Sequence, residues 1–289
     1  MLAQQLVNGV VLGATYALIA IGYTLIFGIL RVLHLAHGEV FVAGALAGLA
    51  AAVAGGGNLA LALAASLAAA VAAGILVERV ALRPLRAAGH LAPILSTLGV
   101  AIILQDLAVK AFGGEPIGFP EFAQPRTLRM GSLTVPGTHL LILALTVALV
   151  AGLHLLLRRT RLGRALRATA ESPTLAALLG IRTRQVALWT IAVASALAGA
   201  AGLLVGLASN AVSPSAGFEV TLKGLVVMLF GGVGSVAGAL LGGLVLGLAE
   251  VLSVAYLASS YRDAFSFLLL IAVLLVRPGG LFGARGEGA

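Results

Sequence analysis

The sequence predicts an all-α, polytopic membrane helix bundle, and three observations carry that prediction. Hydrophobic residues make up 61% of the 289 residues and charged residues only 10%, with a mean hydropathy of +1.12. A soluble domain of this size could not hide so much apolar surface behind so few charges. The apolar residues gather in runs near the roughly 20 residues that a helix needs to cross a hydrocarbon core. Polar sequence is concentrated instead: seven of the sixteen arginines fall between Arg158 and Arg184, with apolar runs on both sides. Nothing divides the chain into aqueous domains, so residues 1–289 read as one transmembrane domain.

The runs follow in order. Leu6–Leu30 is stopped by Arg31. It lacks a basic leader and is too long for a signal-peptide core, so it reads as the first span. Val40–Val53 is short for a span; Leu59–Val77 and Ala92–Phe112 are full length. The loop 113–137 carries Pro116, Pro120, Pro125 and Pro136 and reads as ordered but without a long helix. Thr138–Leu157 and Val186–Ala208 flank the arginine-rich interval. Thr221–Leu257 is Gly-rich and too long for one straight crossing. It predicts a broken helix, or a re-entrant half-helix followed by a full one, which survives at membrane depth only when buried in protein or lining a cavity. Ala264–Val276 closes the membrane part, for about eight spans.

Arginine sets the orientation. Arg31, the Arg79/Arg83/Arg86 group and Arg158–Arg184 occupy alternate loops, which the positive-inside tendency places in the cytoplasm. The N-terminus and the 113–137 loop are then outside. Eight full spans would leave Arg277 and Arg285 outside as well, whereas a re-entrant element in Thr221–Leu257 would return them inside. The net charge of +8 reflects this loop arginine rather than a nucleic-acid partner. The chain has no cysteine, which excludes disulfides, thiol catalysis and thiolate metal sites.

The 158–184 loop holds more than charge. Ser172-Pro173 is a helix start, with Ser172 as N-cap and Pro173 at the first helical position. Gly180 is a helix stop. Two short helices follow, near Gly163–Glu171 and Pro173–Leu179. Arg164, Arg167 and Glu171 share a face by their spacing. The second helix presents Leu175, Leu178 and Leu179, and the small Ala176 and Ala177 permit close approach by another protein. Positive-inside anchoring accounts for the sign of the loop but not for its caps, so a docking surface is the second reading.

Polar residues inside the apolar runs mark a pathway or a structural network. Glu250 lies deep in the last part of the Gly-rich run. Gln105 and Asp106 in the fourth run and Lys223 at the head of the Gly-rich run belong to the same class. Asn8 and Tyr16 are polar handles in the first. His34, His37 and Glu39 follow Arg31 closely. Metal binding there lacks a ligand cluster, so no metal site is expected. Within the Gly-rich run, Gly234, Gly238 and Gly242 make a small-residue ridge for helix packing. A break at Gly231–Ser235, including Gly232, would open a helix N-terminus to a substrate carboxylate.

Enzymatic readings fare poorly. No Walker A motif is present, because neither Lys110 nor Lys223 sits in the required context. ATP hydrolysis, if it drives this chain, belongs to a partner. An intramembrane protease using Ser235 would need a base, and all five histidines precede it. An ATP-independent secondary transporter or channel shares the bundle and the buried Glu250 but gives no reason for the two-helix loop.

The segment GRALRATAESPTLAALLGI resembles the cytoplasmic coupling segment of ABC importer permeases, in the branched-chain amino acid subgroup related to ribose-type permeases. NGVVLGATYALIAIGYTLIFGILRVLHLAHGEVFVAGA near the N-terminus and GGVGSVAGALLGGLVLGLAE near the C-terminus resemble the same subgroup. One departure is His34, where the subgroup usually has Asn. The resemblance implies a permease subunit that translocates leucine, isoleucine, valine or a similar small amino acid, with urea or short amides as relatives' cargo. It implies a bacterial or archaeal cytoplasmic membrane, a second related permease or a second copy, two cytoplasmic ATPases that bind the ATP, and a substrate-binding protein. Coupling would fall on Arg164, Arg167, Glu171, Ala176, Ala177 and Gly180. The path would be sought among His37, Glu39, Gln105, Gly232, Ser235 and Glu250. No cofactor is expected in this chain.

Overall fold

The computed structural model describes residues 2–85, 88–89, 91–120, 127–130, 133–256 and 261–283. It is a helix bundle: α1 (Leu2–Leu30), α2 (His37–Ala54), α3 (Leu59–Val77), α4 (Leu91–Phe112), α5 (Gly137–Arg159), α6 (Arg161–Glu171), α7 (Pro173–Leu178), α8 (Thr183–Ser209), α9 (Gly217–Gly231), α10 (Val236–Tyr256) and α11 (Arg262–Val276). A π-helical turn, Glu78–Leu82, extends α3. Among the described residues, seven helices, counting α3 with that turn, are long and apolar enough to cross a membrane; α9 and α11 are shorter. Among the described residues, strands form two antiparallel pairs, β1 (Ile117–Gly118) with β4 (Ala211–Val212), and β2 (Leu128–Met130) with β3 (Leu133–Val135).

The central helix is α1, buried on nearly every side from Gly9 to Ile26. Its neighbours approach closely because glycine faces glycine. A side chain on Gly13 or Gly247 would run into the backbone of the other helix, and one on Gly243 would meet Ala17. In a bilayer, where burial from water cannot draw helices together, such van der Waals contact holds the bundle. The outward faces of α3, α4 and α5 carry exposed apolar residues such as Leu76, Ile102, Ile103 and Val147, as a lipid-facing surface requires.

The long Gly-rich run is two helices. α9 ends at Gly231, residues 232–235 turn, and α10 leads back. Gly238 lies against Gly231, Gly242 against Val227, and Glu250 meets Lys223, so the pair is an antiparallel hairpin. Gly238 and Gly242 thus face α9, while Gly243 and Gly247 face α1. At about 1.5 Å per residue the 15 residues of α9 span only about 22 Å, less than a hydrocarbon core. α9 is the shorter arm of the hairpin and α10, with 21 residues, the one long enough to cross a membrane.

This hairpin decides which end of the bundle the C-terminus occupies. A cavity at one end is bordered by Arg31, by Arg167 and Glu171 of α6, and by Val233 and Gly234 of the turn. Leu281 N and Phe282 N donate to the carbonyls of Phe230 and Gly231. The segment after α11 therefore lies at the Arg31 end. The opposite end holds the strands: Thr134 N donates to Gln4 Oε1 at the start of α1 (3.1 Å), and Phe119 N donates to Asn210 O after α8. The described residues between α4 and α5 form short strands and no helix.

A second re-entrant feature explains why α2 is short. α1 ends at Leu30, with Arg31 in the left-handed region (φ 55°), and residues 32–36 turn back into the protein. Leu35 N donates to Thr97 Oγ1 (3.2 Å), and Leu35 O accepts from Thr221 Oγ1 (3.2 Å). Threonines of α4 and α9 thereby satisfy backbone that is buried without helical partners. His37, the first residue of α2, packs its ring on Tyr23, centroids 4.7 Å apart. α2 thus starts about two helical turns inside the Arg31 end, so it has less depth to cross.

Candidate translocation and coupling sites

Glu250 is the hub of an ionic network. Its side chain is fully buried. Lys223 Nζ donates to Glu250 Oε1 at 3.0 Å, and Arg262 Nε donates to the same oxygen. Lys223 and Arg262 also meet at Tyr16, whose hydroxyl accepts from Lys223 Nζ at 3.4 Å and from Arg262 Nη2 at 3.2 Å. Glu219, one turn from Lys223 on α9, pairs with it at 3.0 Å. α1, α9, α10 and α11 each contribute a side chain. An unpaired carboxylate at this depth would be expensive; two cations and a hydroxyl make it tolerable.

The network forms one wall of a cavity of about 450 Å³ between α1, α2, α5, α8, α9 and α11. Lys223, Arg262, Glu219, Tyr16, Asn8 and His139 supply its polar lining. The cavity at the Arg31 end measures about 500 Å³ and touches α1 from Thr24 to Arg31. The two lie on successive stretches of α1, Asn8–Ile19 and Thr24–Arg31. Between them Ile19 and Tyr23 pack on Gly224, which has no side chain to keep them away.

The predicted path residues do not form one site. Glu250 stands beside the first cavity, while Gly232 and Ser235 lie in the α9–α10 turn at the other end. Fourteen residues of helix separate Val236 from Glu250, about 21 Å. The glycine break and Glu250 therefore stand at different cavities. Ser235 acts as a helix cap: its hydroxyl accepts from Gly238 N at 3.0 Å. Gln105 points elsewhere again, donating to Ser215 O at 3.1 Å and tying α4 to the segment before α9. Asp106 forms an exposed pair with Lys110. His37 and Glu39 are buried at the start of α2, His37 against Tyr23 and Gly22, Glu39 against Gly217. His34 is fully buried beside His37, ring centroids 5.7 Å apart.

Besides Glu219, sequence reasoning missed a second member of this network, Arg262. It follows the end of the Gly-rich run and looks like an ordinary boundary charge. The available signal was Glu250 itself, since a buried anion demands a cation and Arg262 lies only 12 positions further along the chain.

The 158–184 interval contains the predicted helix pair. α6 begins two residues earlier than expected because Thr160 caps it, accepting from Gly163 N at 2.9 Å. Gly163 sits on the carbonyls of Leu156 and Leu157, where a side chain would not fit. Ser172 caps α7 by accepting from Leu175 N at 3.3 Å. Gly180 stops it with φ 81°: Ile181 N donates to Ala176 O and Gly180 N to Ala177 O, the paired bonds of a Schellman end. Arg164, Arg167 and Glu171 are exposed, while Gly163, Leu166 and Thr169 of the same helix are buried. On α7, Leu175, Leu178 and Leu179 are exposed, at 61%, 79% and 81%. Ala177 is exposed too, but Ala176 turns inward and is buried, because the short helix rests that side on the bundle. Ala176 therefore lies behind the exposed face rather than on it.

Residues 5–274 match the family model for the permease component of the branched-chain amino acid transport system. The chain is 38% identical over 293 residues to the high-affinity branched-chain amino acid transport system permease protein BraD of Pseudomonas aeruginosa, covering 97% of this chain and 95% of that one. It is equally similar, 38% over 292 residues with the same coverage, to the corresponding protein LivH of Escherichia coli. A probable branched-chain amino acid transport permease of Methanocaldococcus jannaschii is 36% identical over 144 residues, 47% of this chain and 45% of that one. No solved structure matches.

Proposed function

Because this chain belongs to the family of branched-chain amino acid transport permeases, we propose that it is the membrane path of an ATP-driven importer whose ATPase is a separate chain. The observation that carries this reading is the match across nearly the whole chain. The exposed face of α6 and α7 gives the second chain a place to act. The cargo is leucine, isoleucine, valine or a similar small amino acid. The assembly contains a second permease, two ATPases at the Arg31 end and a binding protein at the strand end, in a bacterial or archaeal inner membrane.

The mechanism is alternating access. The binding protein releases cargo at the strand end, over the cavity beside Lys223 and Arg262. Closure of the ATPases pushes α6 and α7, which are joined to α5 and α8 by short, capped turns. Arg167 and Glu171 border the inner cavity directly, so movement of α6 changes its walls. The layer formed by Ile19 and Tyr23 on Gly224 separates the two cavities in this conformation. Opening to the Arg31 end requires α1 and α9 to shift at that contact.

The reading is tested by Leu178→Asp combined with Arg167→Glu. Both residues are exposed, so the chain should fold. Retention of the ATPase on the purified permease should fall roughly tenfold, about 1.4 kcal/mol of docking energy, and ATP-dependent leucine uptake into liposomes should fall with it. Uptake by the permease alone at full rate would overturn the reading in favour of an ATP-independent carrier.

A further inference from the structure

The cavity at the strand end combines an ionic wall with an apolar one. Val11, Leu12, Ile19, Phe41, Val205 and Val220 supply the apolar surface. Two cations, Lys223 and Arg262, and one carboxylate, Glu219, supply the ionic surface, with a second carboxylate, Glu250, behind them. These four charges are not equivalent. Glu250 is fully buried behind the wall and is bonded to both cations. Glu219 pairs with Lys223 from the open side, with 61% of its side chain exposed, and Arg262 is 41% exposed. One carboxylate thus holds the cations in place, and the other can be displaced from them.

We propose that this cavity binds the zwitterionic end of an aliphatic α-amino acid, with Lys223 and Arg262 facing its carboxylate and Glu219 facing its ammonium group. The proposal rests on the transport reading above and assigns residues to it. The incoming carboxylate takes the place of Glu219 beside Lys223, and the released Glu219 pairs with the ammonium group. Each charge that is parted finds a new partner, so entry leaves none uncompensated. A neutral amide could break the Glu219–Lys223 pair but not replace it. A cation or an anion alone would leave one charge unmatched in a partly desolvated site, where that is costly. The aliphatic side chain lies on the apolar wall. About 450 Å³ is within the range of small-molecule sites.

The absence of cysteine makes the site directly addressable. Ala208→Cys places one thiol in this chain at the cavity wall. In the assembled transporter without its binding protein, leucine should slow labelling of that thiol by a small reagent about tenfold, as a site mostly occupied at the chosen concentration would. Leucinamide, which lacks the carboxylate, and 4-methylpentanoate, which lacks the ammonium group, should not protect. Glu219→Gln added to Ala208→Cys should abolish protection by leucine. Labelling unaffected by leucine, or slowed equally by all three compounds, would overturn the proposal. Uptake of leucine by the same transporter with its binding protein separates the two claims. Uptake without protection removes this site only, and absent uptake by the unsubstituted transporter removes the transport reading.

Discussion

The two ends of α1 carry charge in opposite ways. Toward the strand end, Glu250, Lys223, Arg262 and Tyr16 are drawn from four helices and bonded to one another. Toward the Arg31 end, Arg164, Arg167 and Glu171 project from one short helix into the surroundings. The difference follows from solvation. A charge within the bundle must find its partner in the same chain, because lipid offers none. A charge on α6 has water or another protein available. The first group therefore holds the fold together and the second is available for docking, and substitutions should separate those roles.

The largest effect is expected at Glu250. Glu250→Leu removes the carboxylate and leaves Lys223 and Arg262 facing each other with Tyr16, a loss of about 3–5 kcal/mol. Thermal unfolding in detergent should show a large drop in Tm or a loss of folded protein. Arg164→Ala, measured alongside, should leave Tm in place; equal effects from the two would break the comparison. An intermediate effect is expected at Ser172. Ser172→Ala removes the cap of α7, worth about 1 kcal/mol, and hydrogen exchange should rise in residues 173–179 while the Glu250 network stays protected. The smallest effect is expected at Asp106. Its pair with Lys110 lies within a single helix and is mostly exposed, so Asp106→Asn should produce no measurable Tm shift. That result sharpens the contrast, since Asp106 and Glu250 look alike in the sequence as acids in apolar runs.

Much of the 158–184 interval was legible because its determinants are local. Ser172, Pro173 and Gly180 act on backbone groups within a few residues, so their spacing predicts the helix pair without knowledge of the fold. The side that α7 turns to the bundle was not legible. With only six residues, the helix has too little pattern to show that Ala176 faces in and Ala177 out. The cluster around Glu250 was legible only as a need: the depth of the acid implied partners without saying which. Tyr16 and Arg262 are separated by 246 positions, and no periodicity connects them.

Composition and run length by themselves determined an all-α membrane bundle, the break in the Gly-rich run, and a capped helix pair in the arginine-rich interval. Hydropathy and capping are properties of neighbouring residues, so a linear reading reaches them. Only the tertiary structure decided that α9 folds back on α10, that this returns the C-terminal segment to the Arg31 end, and that the glycine break and Glu250 serve different cavities. Those outcomes depend on glycine faces meeting at backbone distance, and the contacts that seat α10 on α1, such as Gly13 with Gly247, join segments more than 200 residues apart.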